Sequence, residues 1–250
     1  MIRKIINKKE VFSIKETAEL LRGRYYTTVT EGLISVFDSP KPENFKQETL
    51  CRLRDIASEA FGKEVSFDSL INHAFGCRYL HLFSHGTDLA GFASFTDYDF
   101  NSNRIIYLGG TVVRPVHQKR RFLSESLKII LKETVPRYLT MRTQNPVIYH
   151  AVSKLRCTMQ PSFDESDTEM VDVGQFIARL LGMQNYDPKV FCERGTYNGS
   201  LYISKPTVND QRITNLFEHK LKLNYLQGDS IIIVARVRDE VAEEVVNLLR

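Results

Sequence analysis

Cysteine is scarce in this chain. Cys51, Cys77, Cys157 and Cys192 are the only four in 250 residues, widely spaced, with no CxxC pair and no histidine at metal-ligand spacing. That pattern excludes a disulfide framework and a cysteine-rich zinc site, and predicts reduced, partly buried thiols. Long apolar runs are also missing. The longest, such as Ile231–Ala235, fall far short of the ~20 residues that cross a bilayer. Internal repeats and low-complexity stretches are absent. Met1–Glu10 is basic but lacks the apolar core of a signal peptide. Charge bias is weak: the net charge of +4 leaves room for an anionic ligand and does not argue for nucleic acid. Together these absences predict a cytoplasmic chain with no membrane span.

What is present is ordinary for a globular protein: 42% apolar and 26% charged residues, in a chain long enough to bury a sizeable core. The segment Asp38-Ser-Pro-Lys-Pro-Glu43 is a clear break. Before it, Val11–Leu21 gives only a poor signal for a strand or short helix. After it, Phe45–Phe61 reads as a helix with Leu50, Leu53, Ile56, Ala57 and Ala60 on one face and Gly62 as its cap. Phe67–Phe75 reads as a second short helix. The period then changes to that of strands: Tyr79–Ser84 and Leu89–Thr96 flank a His85-Gly-Thr-Asp88 hairpin signal. Arg104–Val113 is a third strand, with Gly109-Gly110 suggesting a bulge or a close approach by a ligand. Phe122–Val135 is an amphipathic helix closed by Pro136, Tyr138–Thr143 a strand, and Pro146–Leu155 a helix. Beyond lie a helix near Val173–Met183, an irregular segment Asn185–Asn209, a strand Ser230–Val237 and a helix Asp239–Leu249. The pattern predicts an α/β domain of α+β type. Its central sheet is mixed and mostly antiparallel, flanked by helices, with a bulged strand at about 104–113. One domain, 1–250, is expected, with a core of about 11–157 plus the strand 230–237, and 158–228 as an insertion.

Chemistry concentrates in Val113–Leu127. A strand ends, a short loop carries Arg114, His117, Lys119, Arg120 and Arg121, and a helix begins at once. A helix N-terminus offers unpaired N–H groups and the positive end of the helix dipole, so it suits phosphate. Arginine adds a two-point grip on phosphate oxygens.

On these residues the sequence resembles the GCN5-related N-acetyltransferase (GNAT) family. That family's motif is roughly V-x-P-x-x-(Q/R)-x-x-G-x-(G/A), with an apolar residue four further on. Val113, Pro115, Gln118 and Leu127 match it, whereas Arg121 and Leu123 stand at the two glycine positions. The chain is thus a divergent relative in this reading. The resemblance implies an acyltransferase that moves an acetyl or other acyl group from acyl-CoA to an amine acceptor by direct attack in a ternary complex. It implies that Thr111, Val112 and Val113 pair with the pantetheine arm, and that the amides of Gln118, Lys119, Arg120, Arg121, Phe122, Leu123 and Ser124 face the pyrophosphate. Asn145, at the strand-to-helix step, would meet the cofactor's amide arm. The family's acid position, 152, holds Val. Tyr149, one helical turn earlier, is then the candidate general acid. Acetyl-CoA or another acyl-CoA is the expected co-substrate. Two alternatives stand beside this: a long-chain acyl transferase of the acyl-amino-acid or acyl-lactone synthase type, and a catalytically silent GNAT-like module that binds CoA, a nucleotide or a protein.

Other clusters carry less. His81 and His85 lie on a strand, where four residues span roughly 13 Å, so no metal site is expected. Ser124 and Ser126 have no nearby His/Asp pattern to make a nucleophile. His117 reads as a solvated loop residue, and Tyr107 as a residue packed on the sheet. The acids Asp164, Glu165, Asp167, Glu169 and Asp172 read as a solvated loop. Lys119-Arg-Arg121 lacks the interleaved aromatics of a nucleic-acid groove, so no nucleic-acid partner is expected. The general base, the amine acceptor and self-association are left open.

Overall fold

The computed structural model describes residues 24–27 and 32–237. The expected elements at Val11–Leu21 and Asp239–Leu249 lie outside these residues. The chain divides into two compact units, Met1–Thr96 with Gly109–Ser126, and Asp97–Leu108 with Leu127–Arg250. Strands β4 (Asp88–Phe100) and β5 (Asn103–Val113) run through both. The fold is mixed α/β, with a mostly antiparallel open sheet flanked by helices.

In the first unit, β1 (Arg24–Thr27), β2 (Gly32–Asp38), β3 (Tyr79–His85) and β4 form successive antiparallel pairs. Helix α1 (Gln47–Phe61) forms because apolar residues recur on one face. Leu50, Leu53, Ile56 and Ala57 are buried, and Gly62 ends the helix at φ 70°. The expected second helix is two pieces: α2 (Phe67–Leu70), capped by Ser66, and a wider π-type turn, Ile71–Phe75. These helices cover the β3 face that carries Leu80 and Leu82, in a core with Phe37, Phe45, Phe75, Phe92 and Val112. Gly91 of β4 lies so close to β5 that a Cβ there would sit 2.1 Å from the Val112 carbonyl oxygen.

In the second unit, Ile105–Leu108 of β5 pair in parallel with Tyr138–Met141 of β6 (Tyr138–Thr143). A parallel pair needs a long crossover, which here passes through α3 (Phe122–Thr134). The registered pairing stops at Leu108, at the edge of the Gly109-Gly110 pair, while β5 continues to Val113. Beyond β6 come α4 (Pro146–Ser153), β7 (Thr158–Gln160), α5 (Thr168–Leu180), the two-residue strands β8 (Tyr186–Asp187) and β9 (Cys192–Glu193), α6 (Gln211–Asn215) and β10 (Ser230–Arg236). β10 pairs antiparallel with β6, β7 and β9, and β8 with β9. The segment read as irregular, Asn185–Asn209, thus contains two short strands. The helix expected from Val173 begins five residues earlier, because Asp167 accepts the Met170 amide as its cap. Its apolar face packs Met170, Val173 and Ile177 against Tyr107, Tyr138, Ile232 and Val234. Tyr107 is therefore a packed residue of the sheet, as read from the sequence.

All four cysteines are free. Burial pushes the Cys77 and Cys192 thiols up to about 12, which keeps both protonated. Among the described residues no helix is long and apolar enough to cross a membrane.

The β4–β5 approach yields a stability prediction. Gly91→Ala places a methyl group against a backbone oxygen that has no flexible end to yield, and should cost about 1–3 kcal/mol. Denaturant melts check it; an unchanged midpoint would mean that the strands separate freely at this point.

Candidate anion site and strand-to-helix junction

The loop between β5 and α3 belongs wholly to the first unit. It opens with a single 3₁₀ turn, Pro115–His117, in which the His117 amide donates to the Arg114 carbonyl at 2.9 Å. Arg114 anchors its start: its amide donates to Ala90 O at 2.8 Å and its guanidinium to Glu59 at 2.9 Å. Gln118 folds back, its Nε2 donating to Val113 O at 3.3 Å. Thr111 donates its hydroxyl to Phe92 O, and Val112 is buried.

Strand β3 holds the rest of the loop and the first turn of α3. Alternate residues of a strand share a face, and three on this face each take one position of the loop or helix. His85 Nε2 accepts from Arg120 Nη1 at 2.9 Å. Phe83 stacks on Phe122 at 5.3 Å and 10°. His81 Nδ1 is hydrogen-bonded to Ser126 Oγ at 2.7 Å. Phe122 and Ser126 are four apart, one helical turn, so the start of α3 is fixed in position and rotation.

Between these anchors the backbone takes a course that glycine favours. Lys119 has φ 67° and Arg121 φ 61°, both left-handed, and each costs about 1–2 kcal/mol for a residue with a Cβ. Arg121, at one of the two positions where the sequence motif expects glycine, thus has a backbone conformation that glycine adopts at least cost. The first helical bond of α3 runs from the Glu125 amide to Arg121 O. Among the described residues, the amides of Lys119, Arg121, Phe122, Leu123 and Ser124 have no protein partner. The same holds for the exposed side chains of Lys119 and Arg121, whereas Arg114 and Arg120 are engaged. The Gln118 amide, expected to face a ligand, donates to Pro115 O at 3.3 Å. Five open amides and two unpaired cations within six residues suit a doubly charged phosphate or pyrophosphate.

Two sequence readings change at this loop. His117 is not a solvated residue: it is 6% exposed, its ring 5.6 Å from that of His85, with Asp88 at 3.8 Å. Burial holds it neutral below its ordinary pKa, outweighing Asp88. Ser126, read as having no nearby His/Asp pattern, is brought against His81 from 45 positions away. Both are fully buried, so the pair is structural and no substrate reaches it. His81 and His85 serve different partners, and no metal-binding group occurs among the described residues.

In the second unit, Asn145 joins β6 to α4. Its Oδ1 accepts the Val147 amide at 2.9 Å as the helix cap, and its Nδ2 donates to the Tyr202 hydroxyl at 3.3 Å. Its neighbour Gln144 accepts the Leu201 amide at 2.7 Å and donates to Asp229 O at 3.2 Å. The segment around Leu201–Tyr202 therefore returns to this junction. Tyr202, 57 residues downstream, has no signal in the sequence that would place it there. Burial pushes its phenol up to about 12. Tyr149 is 7% exposed, donates to Pro161 O at 2.8 Å and meets Phe217 edge-on. Its phenol is also pushed up to about 12, chiefly by burial. The acidic stretch is in part structural: Asp167 caps α5, and Arg236 bridges Asp167 at 2.8 Å and Glu169 at 3.1 Å.

No family model and no curated protein matches the sequence. Among solved structures, the fold is similar to the ribosomal-protein-S18-alanine N-acetyltransferase of Escherichia coli, with 13% identity, 82% of this chain and 94% of that one covered, and a TM-score of 0.45. It is similar also to a GNAT family acetyltransferase from Elizabethkingia anophelis with acetyl-CoA bound (11% identity, 81% and 97% covered, TM-score 0.39). A third is N-acetylglutamate synthase from Neisseria gonorrhoeae complexed with coenzyme A and N-acetyl-glutamate (13%, 82% and 35%, TM-score 0.38).

The buried His81 gives a pH prediction. Burial, aided by Arg24, lowers it from 6.5 to about 3. The unfolded chain therefore binds a proton that the folded chain refuses. Stability should fall as pH drops below 6.5 and continue falling towards 3, with this residue supplying roughly 1.4 kcal/mol per pH unit. In melts at pH 7, 6 and 5, His81→Gln should flatten the acid slope by about that amount; an equal slope in both proteins would contradict the burial.

Proposed function

We propose that the chain is an acyl-CoA-dependent N-acyltransferase whose loop Val113–Ser124 holds the cofactor's pyrophosphate. One observation carries the reading: open amides, unpaired cations and left-handed backbone coincide at Lys119–Ser124, at the head of a helix that β3 locks in place. Strain of this kind is stored at functional sites. The acyl-CoA would supply an activated thioester. An acceptor amine attacks its carbonyl carbon, the C–S bond breaks, and the thiol leaves as the amine loses a proton. Strand amides near Gly109-Gly110 would steady the oxyanion. Thr111, Val112 and Val113 would line the pantetheine arm.

Arg121 decides between the acyltransferase and a silent relative. Arg121→Gly should relieve the left-handed strain, stabilising the fold by about 1 kcal/mol. It should also weaken CoA binding about tenfold, since a charge-assisted contact is worth about 1.5–3 kcal/mol. Calorimetric titration checks the sign. Tighter binding by the variant would mean that Arg121 blocks the site. No binding of CoA to the parent chain at millimolar concentration would remove the cofactor assignment. CoA binding without thiol release from acyl-CoAs, across an amine panel and a range of chain lengths, would establish the silent module.

Tyr149 is proposed as the acid because its phenol stays protonated, although its proton is engaged by Pro161. Tyr149→Phe should destabilise by about 1 kcal/mol through that lost bond and lower kcat with KM for acyl-CoA unchanged. A stability loss with kcat intact would leave Tyr149 a structural residue.

A further inference from the structure

The inserted segment encloses a cavity of about 60 Å³, built wholly within the second unit beside the β6–α4 junction. Its walls are largely apolar: Pro146, Val208, Phe217 and Leu223 line it. The polar groups that reach it are mostly engaged. Gln144 is bonded to Leu201 and Asp229. Asp229, 1% exposed, accepts from Arg194 at 2.6 Å and from the amides of Gly195 and Asn224. Thr214 donates to Asp210 O, and Tyr225 to Ser204 O. Two charges remain, Lys205 and Glu218, paired with each other at the pocket with side chains 52% and 42% exposed. Lys205 holds the Glu218 carboxyl below its ordinary range, so it is ionised at neutral pH.

We propose that this cavity binds a free α-amino acid with a small aliphatic side chain. The cavity's size, on the order of four water-sized groups, suits the side chain of valine or leucine. An exposed ion pair is worth only about 0–1 kcal/mol, so a zwitterion can open it at little cost. The ligand's ammonium then takes Glu218 and its carboxylate takes Lys205, replacing one ion pair by two. A simple amine or a simple acid satisfies one of these charges and strands the other. A charged side chain would enter apolar walls without a counter-charge. The pocket stands on the second unit alone. That its ligand is the acyl acceptor, whose amine would be deprotonated before attack, rests on the acyl-transfer reading above.

The test is titration of the full chain, followed by NMR without any CoA, with valine, isobutylamine, 3-methylbutanoate and valinamide. Valine should bind at least tenfold tighter than each of the other three, and Lys205→Met or Glu218→Gln should each remove that advantage. Both side chains are exposed, so the variants should fold as the parent does, which melts confirm. Equal binding of valine and valinamide would overturn the free-amino-acid reading in favour of a peptide N-terminus. Valine binding unchanged in Glu218→Gln, or no binding at all, would overturn the pocket. Acyl-CoA turnover with valine is measured separately: binding without turnover keeps the site and removes the acceptor role, whereas a failed CoA titration bears on the loop alone.

Discussion

The grip of β3 on the start of α3 is the constraint on which the rest depends. A strand presents every second residue to one face, and here His81, Phe83 and His85 meet Ser126, Phe122 and Arg120 in turn. The opposite face, with Leu80 and Leu82, is buried under α1 and α2. A one-residue slip of β3 would exchange the two sets, moving histidines into the helix-covered core. The register that buries the core is therefore the register that aims the loop. This fixed frame allows Lys119 and Arg121 to persist in a backbone conformation that each would otherwise leave.

At Arg121 the same loop combines a left-handed backbone, the conformation glycine adopts at least cost, with a cationic side chain. Two of the loop's arginines are structural: Arg114 is tied to Glu59 and Arg120 to His85. The charge available to a ligand is thus smaller than the composition suggests, and it is concentrated at Lys119 and Arg121. In the second unit a later segment fixes another junction: it returns through Leu201 and Tyr202 to Gln144 and Asn145 at the strand-to-helix step.

Much of this was legible in the sequence, for identifiable reasons. Tyr138–Thr143 and the α3 helix are set directly by apolar periodicity and by the Pro136 stop. The strand, cationic loop and helix of the candidate anion site follow one another in the sequence as they do in the structure. What escaped depends on long-range contact or on very short elements. His81 meets Ser126 across 45 positions, and Tyr202 meets Asn145 across 57; no local spacing encodes either. Strands β8 and β9 have two residues each, too few for an alternating pattern. Asp167 looked like one acid among several because a cap is recognised only with the helix it starts. His117 looked solvated because its loop is polar, although the hairpin beside it covers the ring.

If β3 holds a set of open amides ready for phosphate, amide-resolved NMR of the whole chain during addition of CoA is the most direct test. The amides of Lys119, Arg121, Phe122, Leu123 and Ser124 should shift first and most, with the β3 amides unmoved. Saturation by CoA that leaves those five resonances in place while others shift would contradict it.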